Sequence, residues 1–373
     1  MIDLKATAYL LEEYLKPLVR KEIEIPALAP GEVLVRLTAS GVCGSDLHMF
    51  KGEDPRLRLP MILGHEGVGV IQDLNGPKRT VDGTALHAGD LIIWNRGVSC
   101  GECFYCQVLK KPALCAKRIV PGINCSADEA PFLNGCYADH IILRKRTDIF
   151  KITAPIDPAV LVAASCSGAT AAHGFDISRP EPGDTVAVIG PGPVGLFAVA
   201  FARAYGASQV ILSGGSPQRL QMGRELGASL ILNRKEQTVE ERRELIMQIT
   251  SGRGADLVLE TSGSVAGLQE AIEIARSGGT VLSIGMSQPA GVFPFDGYNL
   301  TKRNLHLQGV WVSDTTHVYR AIQMVLAKPE LFARLVTHRF PLSRVNEALQ
   351  VLEQKEAIKV VLIPDDNSKF IEQ

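Results

Sequence analysis

An alternation of short apolar runs with amphipathic stretches between residues 185 and 284 constrains the fold of this 373-residue chain more than any other feature. The runs have the length of buried strands and the stretches between them have helical spacing; the runs occupy positions 185–190, 210–212, 230–232, 257–259 and 280–284. Strands that are joined through helices line up in one parallel sheet. We therefore predict an α/β domain with a doubly wound parallel sheet of about six strands.

The first predicted strand leads into a glycine-rich turn, residues 190–195, which fits G-x-G-x-x-G. Between a strand and a helix, such glycines allow the backbone to approach a pyrophosphate, and the free N–H groups of the helix N-terminus attract the anion. A purely structural turn is the alternative. We predict a dinucleotide site formed by Gly190, Gly192, Pro193, Val194 and Gly195. Thr261 and Ile284 end later strands of the same sheet, on the edge where the cofactor should lie.

The end of the second strand bears on which dinucleotide binds. NAD sites usually carry an acid there, which accepts a hydrogen bond from the ribose 2′-OH, but this chain has Gly214. Losing the carboxylate also removes the repulsion that excludes a 2′-phosphate. The neighbouring groups that can hold this part of the cofactor are Ser213, Gly214, Gly215, Ser216 and Arg219, although Arg219 can equally be a solvated helix residue. We predict NAD(P) as cofactor, with a preference for NADP.

Charge and hydropathy argue against several classes of partner. The chain has 39 basic and 40 acidic residues without a long run of either sign, so neither nucleic acid nor an anionic membrane surface is indicated. No basic leader precedes an apolar segment, and no apolar run reaches the roughly 18 residues of a membrane span. We expect a cytoplasmic protein with no nucleic-acid and no membrane partner.

Four of the eight cysteines lie within sixteen residues, at gaps of two, two and eight. In a reducing compartment such a cluster is typical of a metal site rather than of disulfides. Four thiolates suit a closed, tetrahedral structural zinc site, and we assign it to Cys100, Cys103, Cys106 and Cys115.

A second set of donors lies earlier, in residues 41–48 and 64–66, among several glycines. Thiolate and imidazole are ligands that zinc prefers, and a catalytic zinc has three protein ligands and one open position. Cys43 and His65 are therefore the first two predicted ligands, and the third must come from elsewhere in the chain.

The pattern of predicted strands, helices and turns changes along the chain, and this suggests two domains. Residues 1–154 alternate short strand patterns with Gly and Pro, and the last forty residues or so return to mixed texture. We assign residues 1–154, completed by 335–373, to one domain, and residues 155–334 to the dinucleotide-binding domain.

Taken together, these motifs and their order resemble the zinc-dependent alcohol dehydrogenase family of the medium-chain dehydrogenase/reductase superfamily, and more loosely its bacterial members that act on polyols or cyclitols. The resemblance implies a GroES-like β-rich catalytic domain, a Rossmann domain, two zinc ions per subunit, and a homodimer or homotetramer joined through the cofactor domains. It implies hydride transfer between a small-molecule alcohol and NAD(P).

The resemblance also assigns roles to individual residues. The third ligand of the catalytic zinc matches Cys166, and Glu66 matches a glutamate that approaches the zinc as water exchanges. Asp46 matches the carboxylate that orients the ligating imidazole. Further matches are a proton relay through Ser45 and His48, a nicotinamide contact at Thr170, and a basic residue near the pyrophosphate at Lys359.

Two other functions remain open on the same fold. One is a zinc-free quinone or enoyl reductase, which lacks the set Cys43, His65 and Cys166. The other is a non-catalytic, cofactor-binding protein, which would tolerate the loss of both the zinc ligands and the proton-relay residues. The substrate is not identified by the sequence; Arg56 and Arg58, shortly after the catalytic loop, fit either a polar or anionic substrate or simple exposure to solvent.

Overall fold

The computed structural model describes residues 5–286 and 291–365. Packing divides the chain into two units: the first runs to Cys166 and resumes at Asp314, and the second comprises Ser167–Ser313. Within the described residues, no helix has the length and apolar character needed to cross a membrane.

The first unit begins with eight strands and three short helices. The strands are β1 (Lys5–Leu11), β2 (Val19–Glu24), β3 (Val33–Val42), β4 (Met61–Ile62), β5 (Gly67–Leu74), β6 (Leu91–Trp94), β7 (His140–Leu143) and β8 (Ile149–Lys151). The helices are α1 (Gly44–Phe50), α2 (Phe104–Gln107) and α3 (Pro158–Leu161).

The second unit alternates strands and helices as the sequence predicts. Its helices are α4 (Ser167–Ile177), α5 (Pro193–Ala204), α6 (Pro217–Leu226), α7 (Val239–Ile249), α8 (Val265–Ile274) and α9 (Gly297–Lys302). Its strands are β9 (Thr185–Ile189), β10 (Gln209–Gly214), β11 (Leu230–Asn233), β12 (Ala255–Glu260), β13 (Ala275–Ser283) and β14 (His306–Gly309).

The chain then returns to the first unit through α10 (Thr315–Ala327), α11 (Pro329–Ala333), β15 (Val336–Pro341), α12 (Val345–Glu353) and β16 (Lys359–Ile363). Residues 155–166 and 314–334, which the sequence assigned to the dinucleotide-binding domain, belong to the first unit by packing, because α3 lies against β3 and α11 lies against α3. This division by packing differs from the domain boundaries that the sequence predicts at 154/155 and 334/335, and those boundaries stay a prediction.

The second unit is built on a six-stranded parallel sheet with the order β11-β10-β9-β12-β13-β14. All five residues of its central strand β9 are buried, as expected for a parallel strand with helices on both faces. The predicted α/β class with a parallel sheet of about six strands is confirmed.

The first unit contains a three-stranded sheet, β2-β1-β4, and a seven-stranded sheet centred on β3. Strand β3 pairs antiparallel with β5, β7 and β16. The pairing of Val42 with Val360 brings the end of β3 beside the start of β16. This register places residues distant in sequence around Cys43, which directly follows β3.

Candidate active site

Four potential metal donors converge in the first unit: the side chains of Cys43, His65, Glu66 and Cys166. One donor atom from each lies within 4.8 Å of all the others. Cys43 joins β3 to α1, His65 and Glu66 lie between β4 and β5, and Cys166 follows a short 3₁₀ turn, Val162–Ser165. Residues that the sequence placed in one site, from three separate segments, therefore meet.

Both nitrogens of the His65 imidazole lie near a potential partner. Nε2 lies 3.5 Å from Cys166 Sγ, and Nδ1 lies 3.2 Å from Asp46 Oδ1. The second oxygen of Asp46 accepts the backbone N–H of Cys43 at 2.8 Å. Burial alone lowers the pKa of His65, but the carboxylate of Asp46 raises it to about 9. An imidazole fixed in this way by a carboxylate has the arrangement of a metal-binding histidine.

The thiols of Cys43 and Cys166 act as a pair. A hydrogen bond from Cys166 lowers the pKa of Cys43 well below its ordinary value, and the same interaction with burial raises the pKa of Cys166. Neither cysteine is in a disulfide. Two sulfurs and an imidazole nitrogen form a donor set that fits zinc. The nearby Glu66 Oε1 is buried and has no hydrogen-bond partner among the described residues, which also fits a cation at this position.

Glu66 forms a buried ion pair with Lys359, the first residue of β16. Its Oε2 lies 2.5 Å from Lys359 Nζ, and that ammonium donates to Val42 O at 3.1 Å. A Cβ on Gly41 would lie 2.1 Å from Glu66 Oε2, so the pair requires glycine there. In the first unit, the side chain of Lys359 is buried against the carboxylate of Glu66. The expected contact of Lys359 with the pyrophosphate stays a prediction.

The two predicted relay residues share one face of α1, three positions apart. Ser45 Oγ lies 4.0 Å from Cys43 Sγ, and His48 Nδ1 lies 2.5 Å from Glu53 Oε2. About half of the Glu53 side chain is exposed, at 49%. Sequence reasoning did not name Glu53, which places a partly exposed carboxylate against His48.

The four clustered cysteines also converge. Their sulfurs lie 3.6 Å (Cys103 to Cys106), 3.9 Å (Cys103 to Cys115) and 3.5 Å (Cys115 to Cys100) apart. A tetrahedral zinc with bonds of about 2.3 Å separates its sulfurs by about 3.8 Å. The spacing therefore fits a closed four-thiolate site, in spite of the long last gap in the sequence.

In the second unit, the predicted dinucleotide turn is built as its glycines require. Gly190 has a φ of +106°, and a Cβ on Gly195 would lie 1.9 Å from Gly190 O. Helix α5 starts at Pro193, after Gly192 as its N-cap. Thr261 Oγ1 donates to Ile189 O at 2.9 Å and to Gly190 O at 2.8 Å, so the end of β12 fastens the turn.

The region predicted to meet the ribose has a steric reason for its glycine. A Cβ on Gly214 would lie 2.3 Å from the Pro191 ring, so the acid of an NAD site does not fit there. Ser213 is buried at the end of β10, Ser216 is the N-cap of α6, and burial lowers the pKa of Arg219.

Sequence reasoning missed Arg234 in this region. A Cβ on Gly215 would lie 2.8 Å from its Nε, and its backbone N–H donates to Gly214 O at 2.8 Å. Two other predicted cofactor contacts also lie in the second unit. Thr170 is a residue of α4. Ile284, which directly follows β13, is buried, and its backbone N–H donates a hydrogen bond to Glu260 O at 2.9 Å.

Comparisons with known proteins agree with both units. The family model of the alcohol dehydrogenase GroES-like domain matches residues 29–155, and that of zinc-binding dehydrogenase matches residues 193–327. A 5-exo-hydroxycamphor dehydrogenase of Pseudomonas putida is 32% identical over 91% of this chain and 94% of its own length. A sorbitol dehydrogenase of Bacillus subtilis is 30% identical over 92% of this chain and 93% of its own length.

Solved structures give the same result. An alcohol dehydrogenase from Thermotoga maritima has a TM-score of 0.94 and 49% identity, covering 97% of this chain and 100% of its own. A zinc-binding dehydrogenase-type protein from Sinorhizobium meliloti, solved with NADP bound, has a TM-score of 0.84 and 25% identity, with the same coverage.

The fold and these similarities define the class: an oxidoreductase built from a GroES-like domain and a Rossmann domain. Within that class, the chain belongs to the zinc-dependent alcohol dehydrogenase family of the medium-chain dehydrogenase/reductase superfamily.

Proposed function

We propose that this enzyme transfers a hydride between the carbinol carbon of a small-molecule alcohol, such as a polyol or cyclitol, and NAD(P), with zinc at the cluster of Cys43, His65, Glu66 and Cys166. The observation that carries the proposal is the convergence of these four donors within 4.8 Å. When bound, zinc acts as a Lewis acid toward the substrate hydroxyl, and the nicotinamide ring exchanges the hydride.

The residues of the first unit have distinct roles in this proposal. Cys43, His65 and Cys166 hold the metal, and Asp46 fixes the orientation of the His65 ring through Nδ1. Glu66 is the acid that would approach the metal as water exchanges, and the ammonium of Lys359 stabilises its charge in a buried position.

The hydroxyl proton leaves through the polar groups of α1. Ser45, beside Cys43, takes the proton from the substrate, and His48 passes it on, since an imidazole exchanges protons readily near neutral pH. The contact of His48 with Glu53 leads this path toward solvent.

A cysteine substitution tests the metal role. Cys43→Ala should lower turnover at least about a thousandfold, because several kcal/mol of Lewis-acid stabilisation are lost, and dinucleotide binding should be retained. Cys125→Ala is the matched control, since Cys125 is buried outside both cysteine sites. Turnover that survives in Cys43→Ala, or active protein without metal, would instead favour a zinc-free reductase.

We also propose that NADP is preferred over NAD. The support is the steric exclusion of an acid at Gly214, together with the guanidinium group of Arg234 beside Gly215 and the presence of Arg219 in the first turn of α6, whose N-cap is Ser216. Adenosine 2′,5′-bisphosphate should bind at least tenfold more tightly than 5′-AMP in calorimetry, a difference of about 1.4 kcal/mol. Arg234→Gln should reduce this ratio, and Arg224→Gln, an exposed arginine at the end of α6, should not. A ratio near one in the unmodified enzyme would contradict the preference.

Three further assignments belong to the same proposal. A second zinc occupies the four-cysteine site, so that each subunit binds two. The enzyme is a homodimer or homotetramer joined through its cofactor domains, which is supported by the exposure of all four residues of the edge strand β14. The cytoplasmic location expected from the sequence stays a prediction.

A further inference from the structure

Arg96 lies beside the donor cluster, two residues after the end of β6. It is 7% exposed, and its Nη1 donates to Cys166 Sγ at 3.0 Å. A guanidinium has five N–H donors in a rigid, planar arrangement. Besides Lys359, which pairs with Glu66, Arg96 thus brings a second positive charge to the donor cluster, from a residue to which the site, as described so far, gives no role.

The other buried arginine of the described residues is neutralised by a carboxylate. Arg242 is 4% exposed and donates to both oxygens of Glu270, at 2.8 and 2.7 Å. The half-buried Arg56 forms a similar pair with Asp54. Arg96, in contrast, forms no ion pair with a carboxylate within residues 5–286 and 291–365. Since an unpaired buried charge is unfavourable, this arrangement points to an anion that is supplied from outside the chain.

A second arginine strengthens the positive field at this point. The segments that contain Arg96 and Arg118 run antiparallel, with a bridge between Val98 and Ile119. A Cβ on Gly97 would lie 1.9 Å from Arg118 Nη2, so that guanidinium packs on the residue next to Arg96. Burial and the charge of Arg96 lower the pKa of Arg118 to about 10, and Asp314 opposes this shift.

We infer that Arg96, supported by the charge of Arg118, binds an anionic group, a carboxylate or a phosphate, on the alcohol that this enzyme oxidises. The inference rests on the proposed function, because it places the hydroxyl of the same molecule at the donor cluster. Since Arg96 touches Cys166, the anionic group and the reacting hydroxyl are separated by only a few bonds. Hydroxy acids and polyol phosphates have this chemistry, and the planar guanidinium suits either anion.

The competing explanation is that Arg96 only offsets the negative charge of the ligand sulfurs. That role is independent of the substrate, so losing it affects neutral and anionic alcohols equally. Recognition of a substrate anion affects only the anionic member of a matched pair. The two explanations are therefore distinguished by the ratio of the dissociation constants of the neutral and the anionic alcohol, and not by activity alone.

The experiment uses zinc-loaded enzyme and two matched pairs: sorbitol with sorbitol 6-phosphate, and 2-butanol with 3-hydroxybutyrate. Dissociation constants are measured by calorimetry, and reduction of NAD(P) is followed separately by absorbance. The variants are Arg96→Gln and Arg118→Gln, the latter because Arg118 makes no described contact with the donor cluster. The control is Arg58→Gln: the structure leaves Arg58 exposed and paired with Glu129 at 3.1 Å, which favours exposure to solvent over the substrate contact that the sequence left open. Bound zinc is quantified in every variant.

We expect the unmodified enzyme to bind the anionic member of at least one pair about 10- to 100-fold more tightly than its neutral partner, the range of a charge-assisted hydrogen bond. Arg96→Gln should bring this ratio to about one, Arg118→Gln should reduce it, and Arg58→Gln should leave it unchanged. A ratio near one in the unmodified enzyme for both pairs, or equal weakening of both members in Arg96→Gln, would overturn the inference. Absence of hydride transfer to any alcohol contradicts the proposed function instead, and the binding ratio still decides the role of Arg96.

Discussion

The ion pair of Glu66 and Lys359 is the residue-scale feature on which the catalytic region depends. Both side chains are almost fully buried, at 0% and 2% exposure. Burial alone lowers the pKa of Lys359, but the carboxylate of Glu66 raises it above its ordinary value. Each charge is therefore tolerated in the interior only because the other is present, and Val42 O accepts one of the remaining ammonium protons.

Lys359→Met should destabilise the protein by about 3–5 kcal/mol, because it leaves the Glu66 carboxylate buried without a counter-charge. The free energy of unfolding is measured in urea on metal-free protein, since a zinc ion at the donor cluster would itself offset the charge of Glu66. Glu66→Gln combined with Lys359→Met should recover most of the loss, since neither charge is then present. A single-variant loss below about 1 kcal/mol, the value typical of an exposed pair, would contradict the buried pairing.

Residues in local motifs were predictable from their own sequence pattern, whereas residues that act through long-range contacts were not, and Cys166 and Lys359 were named only through the family resemblance. Cys43 and His65 lie in short glycine-rich segments with recognisable donors, and the structure brings them together. The contact of Arg96 with Cys166 spans 70 positions, and that of Lys359 with Val42 spans 317. No local pattern reports such pairs, because they depend on which strands become neighbours in the sheet.

At the scale of elements, the dinucleotide turn is held by the end of a neighbouring strand. Thr261 Oγ1 contacts both Ile189 O and Gly190 O, and Glu260 Oε1 accepts the N–H groups of Ser262 and Gly263 at 2.6 and 2.9 Å. The conformation of the turn is thus fixed before any ligand binds, which lowers the entropy lost on binding.

Thr261→Val should weaken binding of the dinucleotide about 5- to 30-fold, since a buried carbonyl of the turn loses its donor, at about 1–2 kcal/mol. The dissociation constant is measured by quenching of protein fluorescence. Thr261→Ser keeps the hydroxyl and should bind nearly as the unmodified enzyme does. Unchanged binding in Thr261→Val, or weakening in Thr261→Ser alone, would show that the methyl group, and not the hydrogen bonds of the hydroxyl, matters.

The four-cysteine lobe consists of elements too short to fold alone: α2 has four residues, and the following 3₁₀ turn has three. We expect that Cys103→Ser, which removes one thiolate, releases this lobe, so that hydrogen exchange of residues 98–119 accelerates at least about tenfold. Exchange in the sheet around β3 should be unchanged. The same measurement on Cys125→Ser is the control, and normal protection in Cys103→Ser would contradict a metal-held lobe.

Elements with a clear hydrophobic period were predicted well, and elements without one were not. The runs that became β9, β10 and β12 are apolar and buried, so the strand period is visible in the sequence. Strand β14 is exposed at all four positions and forms because β13 offers its free edge. Its formation depends on a neighbour rather than on its own residues, and the sequence analysis did not predict it.

The whole molecule leaves one edge of the parallel sheet uncovered in the described residues, at β14. An exposed edge strand pairs readily with another strand, and Leu307 is 42% exposed on it. This agrees with the proposed joining of subunits through their cofactor domains.

Leu307→Lys should shift the enzyme to monomers, because it places a charge at the centre of the proposed contact between edge strands. Molar mass is measured by size-exclusion chromatography with light scattering, over a hundredfold range of concentration. Val239→Lys is the control: it changes a comparably exposed apolar residue, 39%, of α7 in the same unit, and should leave the mass unchanged. If the unmodified enzyme is monomeric, or if Leu307→Lys retains the oligomeric mass, the subunits do not join through β14. Because β14 contains none of the proposed site residues, Leu307→Lys also tests whether dinucleotide binding by a single subunit depends on assembly.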